Sequence, residues 1–230
     1  MFSAVSASGA GTGNVEASPR ARRYRSPLRA QRAAETRGAL LAAAHRLFVS
    51  QGWGGTGMRD VAAEAGVATE TLYAYFSSKR VLLKAVVDTA VVGDDRPVAV
   101  AERPEFAAIG RGRHVERTAA AARLVCSIYQ RTAALAKVIR EAAAGDGEIA
   151  DELRATRERQ RRDVAAAAEL IMGRAATTAE TDGLWALTSP ELYLLLVEES
   201  GWTPLQYEAW MAEALERLVP RSSGTRKEPR

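Results

Sequence analysis

The sequence predicts an all-α chain, with an N-terminal three-helix helix-turn-helix domain followed by a larger C-terminal helical domain. Three observations predict it. Apolar residues recur at helical spacing in successive segments, two short helical segments meet at a tight Ala-Gly-Val turn, and the last segment carries large side chains at i, i+3 and i+4. The expected bounds are a disordered basic arm over residues 1–32, the first domain over 33–92, the second over 93–220, and a disordered tail over 221–230.

The elements follow in order. Between residues 33 and 50, Leu40, Leu41, Ala44, Leu47 and Phe48 form one apolar stripe with Arg37 on it, and "QGWGG" ends the helix. "MRDVAAEAG" predicts a second helix with Val61, Ala62 and Ala65 facing inward and Gly66 supplying the turn. "TETLYAYF" is the third, and a fourth starts near Ser78 or Lys79 and runs to the break at "GDDRP". After a Gly-, Pro- and Arg-rich stretch over 93–112, Val115, Ala122, Val125, Leu135 and Ile139 keep one helix face apolar until "AAAGDG". The charged run from Glu148 to Met172 reads as a helix with a solvated face rather than a second nucleic-acid surface. Two last helices are expected over Asp182–Glu199 and Pro204–Val219, the second with Tyr207, Trp210, Met211, Ala214 and Leu218 on one stripe.

Composition narrows the functional classes. A chain of 230 residues can bury a substantial core, and its single cysteine, Cys126, supports neither a disulfide framework nor a multi-cysteine metal site. The first residues lack a charged start followed by an apolar run, and no stretch approaches 18 uninterrupted apolar residues, so a cytoplasmic, non-membrane location is expected. His45 and His114 lie in different segments, and there is no nucleophile–base motif, phosphate-cradling loop or metal-ligand spacing. No enzyme activity, cofactor or metal is expected. The net charge of +4 is uneven: Arg20, Arg22, Arg23, Arg25, Arg29 and Arg32 face only Glu16 and Glu35 before residue 37. Such an arm suits a polyanion, and a solubilising tail is the equal alternative.

The third helix carries the most specific chemistry. On a helical wheel Leu72 and Phe76 fall together toward the core, which leaves Glu70, Thr71 and Ala74 opposite and Tyr73 and Tyr75 at the flanks. Small and hydrogen-bonding groups of that kind suit base edges, and phenolic hydroxyls suit phosphates. Lys79 at the start of the fourth helix adds a cation where free N–H groups already favour an anion.

Residues 36–90 resemble the DNA-binding domain of the TetR family of transcriptional regulators, through "AAAHRLFVSQGW" and "MRDVAAEAGVATETLYAYFSSKRVLLKAVV". The resemblance implies that Tyr73, Tyr75 and Lys79 contact phosphates of double-stranded DNA, with Thr69, Glu70, Thr71 and Ala74 as candidates for sequence reading. Gly57 and Ala68 depart from the family pattern by removing a capping side chain. Thr56 and Thr69 stand one residue away as substitutes, which adds Thr56 to the candidates. The resemblance further implies a homodimer formed by the last two long helices and a cavity for an unknown small-molecule effector in the helices before them. Candidates for the cavity are Arg123, Cys126, Tyr129, Met172 and Trp185; those for the interface are Leu192, Tyr193, Leu196, Trp210 and Met211. A plain core role is the alternative for each. The expected function is a ligand-responsive repressor that binds a pseudo-palindromic operator as a dimer; the alternative is a ligand-independent architectural or general DNA-binding dimer.

Overall fold

The computed structural model describes residues 27–93 and 99–219, all of whose regular elements are helical. Helix α1 spans Pro27–Gly55, with a kink at Gly52, and α2, α3 and α4 span Met58–Glu64, Thr69–Tyr75 and Lys79–Val92. A 3₁₀ turn at Val100–Glu102 leads to α5, Pro104–Ala108. The long helices α6, His114–Gly145, and α7, Gly147–Met172, follow. The chain closes with α8 at Thr178–Leu187, α9 at Pro190–Tyr193 continuing as a π-helical turn to Glu199, and α10 at Pro204–Leu218.

Two boundaries differ from the sequence expectation. Helix α1 begins at Pro27, so Leu28–Arg32 belong to the helix rather than to the arm. Ala, Arg and Gln favour helix there, and Gln31 donates to Glu35 one turn on at 2.9 Å. Arg20, Arg22, Arg23 and Arg25, like the tail over 221–230, lie outside the described residues. The single helix expected over Asp182–Glu199 is broken between Thr188 and Ser189. Pro190 holds Ser189 extended and begins α9 at the position where a missing N–H costs nothing, while the Ser189 hydroxyl accepts from Leu192 N at 3.3 Å. By contrast, α10 starts where expected, on a capping box in which Thr203 and Gln206 each accept the other's backbone N–H.

The helices bury two apolar clusters. The first joins Leu40, Phe48, Val61, Leu72, Phe76 and Leu82 of α1–α4 and includes Leu135, Val138 and Ala142 of α6. The second joins Phe106, Cys126, Met172, Tyr193, Tyr207 and Met211 from α5 to α10. Both therefore draw on α6. Tyr193 and Met211, expected at a subunit interface, are monomer core: the Tyr193 ring meets Tyr207 edge-on at 4.8 Å, and Met211 is fully buried. Leu192 and Leu196 pack half-buried against the same cluster, and Trp210 meets Trp202 edge-on at 5.9 Å.

Met211→Ala leaves a cavity between α10 and α6, and is expected to destabilise the chain by about 2–5 kcal/mol in denaturant unfolding. A cost near zero would place Met211 outside the core.

Candidate nucleic-acid interface and effector cavity

The recognition helix is set by a short turn. Gly66, at φ 69°, closes α2, with its own N–H on Ala63 O and the Val67 N–H on Ala62 O. The left-handed conformation needs glycine and turns the chain within three residues. Helix α3 then buries Leu72 and, at its end, Phe76, whose ring the Arg37 guanidinium covers at 5.7 Å.

On the outer side Glu70, Tyr73 and Ala74 are exposed, Tyr73 by half, while Thr69, Thr71 and Tyr75 are partly covered. Five of the expected reading and flanking residues thus share one accessible surface: Thr69, Glu70, Thr71, Tyr73 and Ala74. The Tyr75 hydroxyl instead donates to Ala33 O at 3.2 Å and fixes the start of α1 against α3. That contact keeps the exposed Arg29 and Arg32 on the helix whose first turns adjoin the reading head. Arg59 on α2 is a further exposed cation that sequence reasoning passed over, and it has no ion-pair partner among the described residues. Its position in the first turn of the helix before the Ala-Gly-Val motif was the available signal.

Two of the residues expected to contact DNA have partners within the chain. Thr56 is buried, and its hydroxyl donates back to Gly52 O at 2.9 Å, so it neither caps α2 nor reaches the surface. Helix α2 is satisfied from the other side: the Gly57 N–H donates to Asp60 Oδ2 at 3.1 Å. Thr69 does not replace the missing cap of α3, because it is already the first helical residue and Ala68 supplies no side-chain acceptor. Lys79 turns inward. Its ammonium donates to Trp53 O and lies 4.2 Å from the Trp53 ring centroid. Burial pushes its pKa down, and the nearby Glu141 carboxylate opposes that shift.

Glu141, on α6, completes this junction. Its two oxygens accept the Trp53 and Gly54 N–H groups, each at 2.9 Å, so the carboxylate binds the turn after the α1 kink as an anion binds a backbone nest. Those backbone hydrogen bonds, aided by Lys79, hold its carboxyl below the usual carboxylate range. Gly52 at φ 72° is required twice over, since a Cβ there would lie 2.7 Å from Glu141 Oε2.

A cavity of about 250 Å³ lies between α4, α6, α7 and α8. Val87 and Val91 of α4, Val125 and Ile128 of α6 and Val164 of α7 give it apolar walls. Of the expected residues, Tyr129 and Trp185 line it, and the Tyr129 hydroxyl donates to Thr188 O at 2.5 Å. The other three do not. Arg123 is exposed elsewhere, Met172 is core, and buried Cys126 gives its thiol to Pro204 O at 3.3 Å. Arg140 of α6, Glu191 of α9 and Gln160, Asp163 and Arg157 of α7 line the cavity and were missed, the last three because the charges of α7 read as a wholly solvated face. The signal was spacing: Leu153, Thr156, Gln160, Val164, Ala167 and Ile171 mark the apolar stripe of α7, and Asp163 sits beside it.

Glu141→Gln is expected to speed amide hydrogen exchange at Trp53 and Gly54 while leaving the amides of α10 unchanged. Unchanged exchange at both would show that the junction does not rest on the carboxylate.

Comparison with known proteins agrees with this geometry. Residues 40–86 match the family described as "Bacterial regulatory proteins, tetR family". The HTH-type transcriptional activator FasR of Mycolicibacterium smegmatis is 46% identical over 57 residues, which is 25% of this chain and 26% of that protein, so the match spans about a quarter of that relative's length. A TetR family member from Streptomyces coelicolor A3 aligns over 81% of this chain and 99% of its own, with a TM-score of 0.57 and 22% identity. AibR, in complex with isovaleryl coenzyme A and operator DNA, aligns over 78% of this chain and 97% of its own, with a TM-score of 0.54 and 19% identity. At these identities the two structures speak for the fold alone. Residues 40–86 therefore match the head of the tetR family of bacterial regulatory proteins, and the helical architecture of the chain is similar to that of solved TetR family structures.

Proposed function

We propose that this protein is a ligand-responsive transcriptional regulator that binds a pseudo-palindromic operator as a homodimer and represses from it. One observation carries the ligand response: the cavity wall includes Val87 and Val91 of α4, the helix that starts four residues after α3 ends. A ligand pressing on that wall acts on the support of the reading head itself. Any shift it produces is limited by its preference between the bound and free conformers.

In this reading Thr69, Glu70, Thr71 and Ala74 face base edges, with Tyr73 and Arg59 toward the backbone. Dimerisation supplies the second reading head at a fixed spacing. The ridge Trp210, Ala214 and Leu218 of α10 suits that role, because Leu218 is 61% exposed beside a buried core stripe. Both AibR, solved with operator DNA, and FasR, named an activator, are consistent with DNA binding by this architecture. The sign of the effect is tested by a reporter gene placed under the selected site.

Selection from a random duplex pool at two salt concentrations is expected to enrich an inverted repeat. No enrichment, with affinity collapsing as salt rises, would favour the general DNA-binding dimer instead. On the selected site, Arg59→Ala should weaken binding to all sequences and reduce the salt slope by about one, whereas Thr71→Ala should change preference among sequences. Leu218→Glu should shift the molecular mass in light scattering from dimer toward monomer; a mass unchanged would move the interface elsewhere.

A further inference from the structure

The cavity contains one charged group that no described residue meets with a hydrogen bond or ion pair. Asp163 lines it from α7, partly buried, and makes no hydrogen bond or ion pair among the described residues. The other charges at the cavity are occupied: Arg140 and Arg157 share the Glu191 carboxylate, at 2.8 Å and 3.6 Å, and all three remain well exposed to water. Arg159, whose charge Asp163 feels along its own helix, bonds Glu152 at 3.1 Å and Thr156 at 2.7 Å. Burial pushes the Asp163 carboxyl up, with Arg162 and Arg159 only opposing the shift. The cavity therefore holds a carboxylate that has lost part of its hydration without gaining a hydrogen-bond or ion-pair partner among the described residues, a cost that a bound cation would remove.

Around Asp163 the walls are shaped for an apolar body. Gln160 lies one turn before it and offers an amide, while Tyr129, Trp185 and Phe106 bring aromatic rings and Val125 and Val164 branched side chains. Aromatic walls also suit a cation's apolar substituents. We propose that the cavity takes an amphiphilic organic cation, a protonated amine bearing a compact aromatic or branched apolar body, with its ammonium on the Asp163 carboxylate. This inference rests on the reading of the cavity as the effector site, and it names the ligand class.

Three probes of one shape separate charge from shape: 4-butylbenzylammonium, 4-butylbenzyl alcohol and 4-butylbenzoate, each titrated into the full-length protein by calorimetry. The ammonium is expected to bind about tenfold tighter than the alcohol or better, the scale of one charge-assisted hydrogen bond. Asp163→Asn should abolish that preference while leaving alcohol binding unchanged, and should not lower Tm, because it removes an unpartnered charge. Tighter binding of the benzoate, or an ammonium preference that survives Asp163→Asn, would overturn the proposal while leaving the cavity an effector site. Binding of none of the three would overturn both the ligand class and the effector-site reading. The selection experiment on DNA stands independently of that result.

Discussion

Helix α6 is the constraint on which the rest of the structure depends, because both apolar cores are completed by it. Ala120, Ala122, Cys126 and Ala133 fill the larger cluster, and then Leu135, Val138 and Ala142 enter the cluster of the reading head. The run of alanines allows neighbouring helices to approach closely over the first part, and larger side chains take over in the last turns. A helix shared between two cores cannot move in one without disturbing the other, since close-packed interiors transmit displacement rather than absorb it. Glu141 sharpens this constraint by fastening α6 to the backbone of the α1 kink, with the Lys79 ammonium near it on Trp53 O and over the Trp53 ring.

A second set of contacts is of a different kind. Arg80 pairs with Asp146 at 3.4 Å and Glu148 at 2.5 Å, and Lys84 with Glu152 at 3.3 Å, joining α4 to the start of α7. These pairs are exposed, so they contribute little stability and weaken with salt. Asp146 serves twice, since it also caps α7 by accepting the Glu148 and Ile149 N–H groups at 3.0 Å and 3.3 Å. The head is thus held by packing and one carboxylate nest on the α6 side, and by adjustable solvated pairs on the α7 side. Both attachments meet the first half of α4, whereas the cavity is walled by Val87 and Val91 in its second half.

Much of the head was legible in the sequence because local rules and packing agree there. The Ala-Gly-Val turn and the Leu72–Phe76 spacing fix α3, and its outer face follows from helical geometry. What periodicity could not show was the destination of long polar side chains. Lys79 stands where a phosphate contact was expected, yet its stem reaches Trp53, a residue 26 positions earlier, and an acid 62 positions later on α6. Tyr75 likewise bonds Ala33, across 42 residues. In the C-terminal half, element positions were readable but roles were not, because core, cavity and interface all draw on the same apolar and aromatic residues. Tyr193 and Met211 could be assigned to the core only once α10 was seen lying along α6. The break before Pro190 was written locally, in the Ser-Pro pair, and was overridden by the apolar periodicity on both sides.

A double-mutant cycle on operator affinity tests the coupling most directly. Ala136→Leu narrows the cavity from α6, Glu141→Gln weakens the tie to the head, and the double variant reports whether the two sites act through each other. Coupling through α6 predicts an interaction free energy of about 0.5–3 kcal/mol, with the cavity substitution losing its effect on DNA binding once Glu141 is changed. Effects that add to within about 0.5 kcal/mol would contradict it, and would mean that cavity and head are joined through α4 alone.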